Sequence, residues 1–253
     1  MMKCKIAILT LWAAVATAAA GQEALYSPDG KASQVVADFY RTLNLGALQV
    51  DSLLYIESRI VPRGQTDTLV MQRWAGPRQR QRMELWYDGV LQQCLFTDGK
   101  TYYECYHIGE GWKSVNAESF YDEALGYDFR GPLYQWYLHG NELRYEGSVL
   151  FEGQPAERIG VRNPTRYDRR YYFERDSKLL FLYTESDSIG GEPVPVAPRN
   201  RVDWHAYHEY QPLGAMLLPS VESYQHNGSV TFIFHRAQYV APDEKLFTQR
   251  KRK

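Results

Sequence analysis

The stretch Leu91-Gln92-Gln93-Cys94-Leu95-Phe96-Thr97-Asp98-Gly99-Lys100-Thr101-Tyr102-Tyr103-Glu104-Cys105-Tyr106-His107 sets the reading of the chain. Two runs, Leu91 to Phe96 and Thr101 to His107, flank Asp98-Gly99-Lys100, a turn signal that predicts a β-hairpin. If the loop comprises Asp98 to Thr101, Thr97 faces Tyr102 and Cys94 faces Cys105. A loop one residue shorter puts the two cysteines out of register. Paired, they close a short loop and contribute roughly 2–3 kcal/mol in the chain-entropy model. Two unpaired buried thiols are the alternative.

The same grammar extends outward from this hairpin. Upstream lie Ser52 to Val61, Thr66 to Trp74 and Gln81 to Tyr87, each rich in β-branched or aromatic residues. They are separated by Arg63-Gly64-Gln65, Ala75-Gly76-Pro77 and Asp88-Gly89, the residue types that turns require. Downstream come Glu142 to Phe151, Ala156 to Val161, Arg170 to Arg175 and Leu179 to Ser186. Val202 to Tyr210, Leu217 to Gln225 and Ser229 to Tyr239 close the series, the last two joined by Asn227-Gly228, a two-residue hairpin signal. Regular spacing of this kind predicts an up-and-down meander of about ten strands. Two kinds of segment depart from it. Lys31 to Leu43 carries Val35, Val36, Phe39, Tyr40 and Leu43 at helical spacing. Between Asn116 and Gly140, a short helix around Phe120, Ala124 and Leu125 and a second over Pro132 to His139 are expected to lie across one sheet face. Ile189 to Asn200, with Gly190, Gly191, Pro193, Pro195 and Pro198, reads as an exposed loop.

The N-terminus carries Lys3 and Lys5, then an uncharged run from Ile6 to Ala20 that ends in small residues. This is the pattern of a secretory signal peptide over residues 1–21, cleaved between Ala19 and Glu23. The run falls short of the ~20 apolar residues a membrane span needs. Cys4 precedes the run and no cysteine stands directly after the cleavage site, so a soluble exported protein without a lipid anchor is expected. Export to an oxidising compartment permits the Cys94–Cys105 bridge. Residues 22–253 are expected to form a single β domain, although their length also fits two small ones.

Composition narrows the chemistry. A net charge of −1 gives no basic field for nucleic acid. With 20 Tyr, 6 Trp and 10 Phe, the chain is rich in side chains that build large apolar contact surfaces. No Gly-x-Ser-x-Gly, Gly-rich phosphate loop or metal-ligand cluster stands in the sequence. His205 and His208 differ by an odd number along a strand and so point to opposite faces. Neither a cofactor nor a metal is expected. Arg162 to Arg170 gathers four arginines with Tyr167, either an anionic-head-group contact or a solvated loop. A large bent sheet with few helices to cover it leaves an apolar face suited to an elongated ligand. At ~25 cal/mol per Å² of buried surface, acyl chains gain most from such a face.

The order of elements resembles a known family. The N-terminal amphipathic helix, the meander with Thr97-Asp98-Gly99-Lys100 and the helical insertion come first. Leu218-Pro219, the hairpin at Asn227-Gly228 and the closing Asp243 to Phe247 carry the closest match. The chain is similar to the lipoprotein-carrier superfamily typified by LolA and LolB, the outer-membrane lipoprotein-sorting proteins of Gram-negative bacteria. The resemblance implies an incomplete β-barrel with a helical lid, acting in the periplasm as a monomeric, non-catalytic carrier. Its partners would be acyl chains of lipoproteins or lipids, with inner- or outer-membrane proteins as donor and acceptor. Candidate lipid-lining residues are Leu54, Ile56, Leu69, Met71, Leu85, Phe232 and Phe234 on strands, and Leu133, Trp136 and Tyr137 on the lid. Arg59 and Arg73 are both placed for the arginine through which such carriers couple lid opening. Two other readings fit the residues: an envelope scaffold whose barrel is filled by its own side chains, and a secreted hydrolase with an unrecognised site.

Overall fold

A computed structural model describes residues 30–45, 52–64, 69–76, 80–106, 111–115, 130, 133–134, 136–163, 167–185, 203–226 and 228–248. Among these, helix α1 spans Gly30–Leu43 and thirteen strands follow. They are β1 (Leu53–Pro62), β2 (Leu69–Ala75), β3 (Gln81–Tyr87), β4 (Val90–Thr97), β5 (Tyr102–Tyr106), β6 (Lys113–Val115) and β7 (Glu142–Phe151). Then come β8 (Gln154–Asn163), β9 (Tyr167–Glu174), β10 (Leu180–Glu185), β11 (Trp204–Leu213), β12 (Met216–His226) and β13 (Ser229–Val240). The strands form one antiparallel sheet in the order β6-β5-β4-β3-β2-β1-β13-β12-β11-β10-β9-β8-β7, which does not close. The sheet therefore exceeds the expected ten or so strands. Every run named from the sequence overlaps a strand, and β6 is added. A three-residue edge strand is too short to show alternation, so periodicity could not reveal it.

The hairpin that anchored the sequence reading has the expected register. Thr97 opposes Tyr102 and Cys94 opposes Cys105. The loop is held by Asp98, whose carboxylate accepts from the backbone N–H of Lys100 and Thr101 at 2.9 Å each. No disulfide joins the two cysteines in this structure. Within the helix expected over Pro132 to His139, the described residues are a turn at 133–134 and a 3-10 turn, Trp136–His139. The expected signal peptide, the short helix around Phe120 and the loop from Ile189 to Asn200 lie outside the described residues. No helix among the described residues is long and apolar enough to cross a membrane.

The chain packs as two compact units, Met1–Tyr40 with Gln135–Pro198, and Arg41–Tyr134 with Arg199–Lys253. In the first, α1 buries Ala32, Val36 and Phe39, one stripe at helical spacing. Phe39 packs edge-on against Phe173 of β9 at 5.5 Å, and Lys31 donates to the Tyr145 hydroxyl of β7 at 2.7 Å. A bulge in β7 between Tyr145 and Gly147 turns Glu146 inward, where its side chain is 3% exposed. It takes Arg144 at 2.7 Å and stands 3.1 Å from both Arg158 and Arg170. Arg170 also donates to Asp168 at 2.7 Å, while Arg169 pairs with Glu185 at 2.7 Å. The arginine-rich stretch is thus divided by strand alternation, one arginine entering a buried ion cluster and its neighbour leaving it.

The second unit carries β1–β6 and β11–β13. Its outer face is closed at β3 by the chain's end. Asp243 caps the 3-10 turn Glu244–Phe247 by accepting from the Lys245 N–H at 2.9 Å. Arg80 reaches Glu244 at 2.5 Å and lies over the buried Phe247 ring. Arg82 pairs with the buried Glu84 and donates to the Leu246 carbonyl at 2.9 Å.

Candidate functional site

Directly opposed residues of an antiparallel pair share a face. Ile60 on β1 is opposed by Leu69 on β2 and Ile233 on β13. Ser58 is opposed by Met71 and His235, Ile56 by Arg73 and Ala237, and Leu54 by Ala75 and Tyr239. The same face continues through Leu85 and Met83 of β3 to Leu95 of β4. It holds two apolar clusters. One packs Ile60, Met71, Met83, Leu95 and Ile233, with Leu69 and Leu85 against them. The other packs Leu54, Ile56, Ala75, Met216 and Leu218.

Between the clusters runs a line of polar side chains. Arg73 donates to the Ser58 hydroxyl at 3.3 Å, and Ser58 Oγ meets His235 Nδ1 at 2.8 Å. His235 Nε2 stands 2.9 Å from one oxygen of Glu222, and His205 Nε2 stands 2.7 Å from the other. Glu222 belongs to this face because it opposes Ile233. Burial alone would raise its carboxyl, but hydrogen bonds and charge from His205 and His235 outweigh burial and hold it well below the usual carboxylate range. Burial, with the Glu222 charge nearby, pushes the Tyr210 phenol well above its ordinary value. An ionised carboxylate accepting from two imidazoles is satisfied, as a polar group in an apolar face must be.

Ser58, His235 and Glu222 have the connectivity of a nucleophile, base and orienting acid. Ser58 is fully buried, however, and its hydroxyl already receives Arg73. Its strand is laddered on both sides, by β2 and β13. The line orders side chains across four strands.

Leu54, Ile56, Leu69, Met71 and Leu85, five of the ten residues the sequence offered, therefore share one face. Phe232 and Phe234 do not join them. They oppose Val61 and Arg59 on the other face and are 38% and 45% exposed. Leu133 and Trp136 are buried, and Tyr137 packs edge-on against Trp136 at 5.8 Å. Arg73 lies on the apolar face, whereas Arg59 is exposed on the opposite one. His205 and His208 point to opposite faces as spacing required: His205 joins Glu222, and His208 meets Ser223 Oγ at 2.9 Å. Sequence reasoning missed the Ser58–His235–Glu222–His205 line. Its members lie on four strands, and only cross-strand register brings them together.

The fold has counterparts among solved structures. A LolA superfamily protein from Nitrosomonas europaea matches with a TM-score of 0.56 at 9% identity, covering 86% of this chain and 97% of that one. An outer membrane lipoprotein-sorting protein domain from Vibrio parahaemolyticus gives 0.55 at 9% identity, over 85% and 94%. A DUF1329 family protein from Desulfovibrio piger gives 0.54 at 11% identity, over 86% and 97%. No family model matches the sequence, and no curated protein does. The resemblance drawn from the order of elements thus holds at the level of fold: the chain has a LolA-like architecture.

Proposed function

We propose that this protein is a non-catalytic periplasmic carrier of acyl chains, those of lipoproteins or of other lipids. The observation that carries the reading is the pair of apolar clusters on one face of β1–β4, β12 and β13. Acyl chains are recognised by burial rather than by directional bonds, and the two clusters supply apolar surface on either side of the polar line. The polar line through Arg73, Ser58, His235 and Glu222 fits the same role as a framework that fixes side chains within that face. The face is covered in this structure, with Leu54 and Ile56 buried, so loading requires the covering segment to move aside. The LolA-like fold supports the reading as a likeness of architecture.

Native mass spectrometry of protein purified from cell envelope, with titration of a fluorescent fatty acid, tests it. Co-purifying acyl species and saturable probe binding are expected. Leu69→Asp and Leu85→Asp place a charge at half-buried positions of the face and should each weaken the probe about tenfold, equivalent to ~1.4 kcal/mol. Leu150→Asp, at a position 69% exposed, should leave it unchanged. A protein that is free of lipid and blind to the probe would refute the carrier and favour a filled scaffold.

A further inference from the structure

The face of β1 and β13 opposite the apolar clusters has a character of its own. Phe234, Arg59, Val70 and Trp86 stand in one register line across β13, β1, β2 and β3. Phe232 opposes Val61 one step along. The rings of Phe232 and Phe234 lie side by side, 6.4 Å between centroids and 23° apart in plane. At 38% and 45% exposure they are among the most exposed large apolar residues described. Exposed aromatics placed together, unlike scattered single ones, mark a contact surface.

Charge decides which contact. Arg59 and Arg236 on this face are both exposed. Glu57, half-buried and directly opposite Arg236, accepts from the Tyr55 hydroxyl at 2.9 Å, and the buried Glu84 holds Arg82 and accepts from Trp86 Nε1 at 3.2 Å. The exposed part of the patch therefore presents two aromatic rings and two guanidinium groups against one half-buried carboxylate. A peptide strand cannot add here, because β1 and β13 are each paired on both sides. Paired aromatics with flanking cations fit the boundary of an anionic bilayer, where rings enter the acyl edge and arginines meet phosphate. We propose that this outer face docks the protein on an anionic phospholipid surface, independently of what the opposite face binds.

Flotation of the mature chain with vesicles tests this. The vesicles are phosphatidylcholine with about one-third phosphatidylglycerol, compared with phosphatidylcholine alone. The wild type should float with the anionic vesicles, less with the neutral ones, and less again as salt shortens the screening length. Phe232→Thr with Phe234→Thr keeps strand-forming residues and should lower partitioning at least about tenfold. Arg59→Glu should lower it on anionic vesicles only. Unchanged melting temperatures and unchanged fatty-acid-probe binding in both variants would separate docking from cargo binding. Three results overturn the proposal: a wild type that stays with neither vesicle, a double Phe variant that floats as well as the wild type, or a double variant whose only change is loss of self-association in sedimentation.

Discussion

Replacing Glu222 with Gln probes the polar line at its centre. The carboxylate takes imidazole nitrogens at 2.7 and 2.9 Å on its two oxygens, and its side chain is 15% exposed. A hydrogen bond to a charged group contributes about 1.5–3 kcal/mol. Glutamine keeps one acceptor and turns an amide N–H toward the other imidazole, so a loss of about 2 kcal/mol at neutral pH is expected. The pH dependence is the sharper test. The folded-state carboxyl sits below its ordinary value, so the unfolded chain binds the extra proton as pH falls through the ordinary carboxylate range. The stability Glu222 supplies is therefore fully present above about pH 5 and is lost on acidification, at up to about 1.4 kcal/mol per pH unit. Urea unfolding of wild type and Glu222→Gln between about pH 2 and 5, below the ordinary imidazole range, isolates this one group. The gap between the two curves should shrink as pH falls through that window. Parallel curves across the whole range would refute the argument that the two imidazoles hold this carboxylate ionised.

Gly160 faces the bulged Glu146, and a Cβ there would stand 2.5 Å from the Glu146 carboxylate oxygen. Gly160→Ala must displace a carboxylate that serves three arginines, at a cost of roughly 2–3 kcal/mol; at about 2–4 °C per kcal/mol, a melt unchanged within a degree or two sinks the idea. Cys94 and Cys105 oppose one another without a disulfide, so mild oxidation should close the bond, remove two hydrogens by mass and raise stability by about 3 kcal/mol, reversibly with reductant. Oxidant that gives the same melting shift in Cys94→Ser would show that the bridge is not its source.

Most of the architecture was legible because it rests on local rules. Alternating runs broken by Asp-Gly, Asn-Gly and proline yield strands and hairpins, and the register at Cys94 and Cys105 followed from counting loop residues. The α1 stripe at Val36, Phe39 and Leu43 was equally local. Apolar density at Pro132 to His139 favours a longer helix, whereas the described part of that segment makes a turn and a 3-10 turn at Trp136–His139. Phe232 and Phe234 misled for another reason. Alternation shows that two residues share a face without showing which face is covered, and β13 carries apolar residues on both. Size drew attention to the phenylalanines, while Ile233 between them is the one buried in the cluster.

Strands joined by tight turns, with one amphipathic helix before them, follow from turn residues and hydrophobic period, which act over a few neighbours. The meeting of Ser58, His235, Glu222 and His205, with Arg73 rather than Arg59 beside them, comes from the folded sheet alone. Those residues sit on different strands far apart along the chain. Their contact depends on hydrogen-bond register across β1, β13, β12 and β11, where a slip of one residue would send every side chain to the other face.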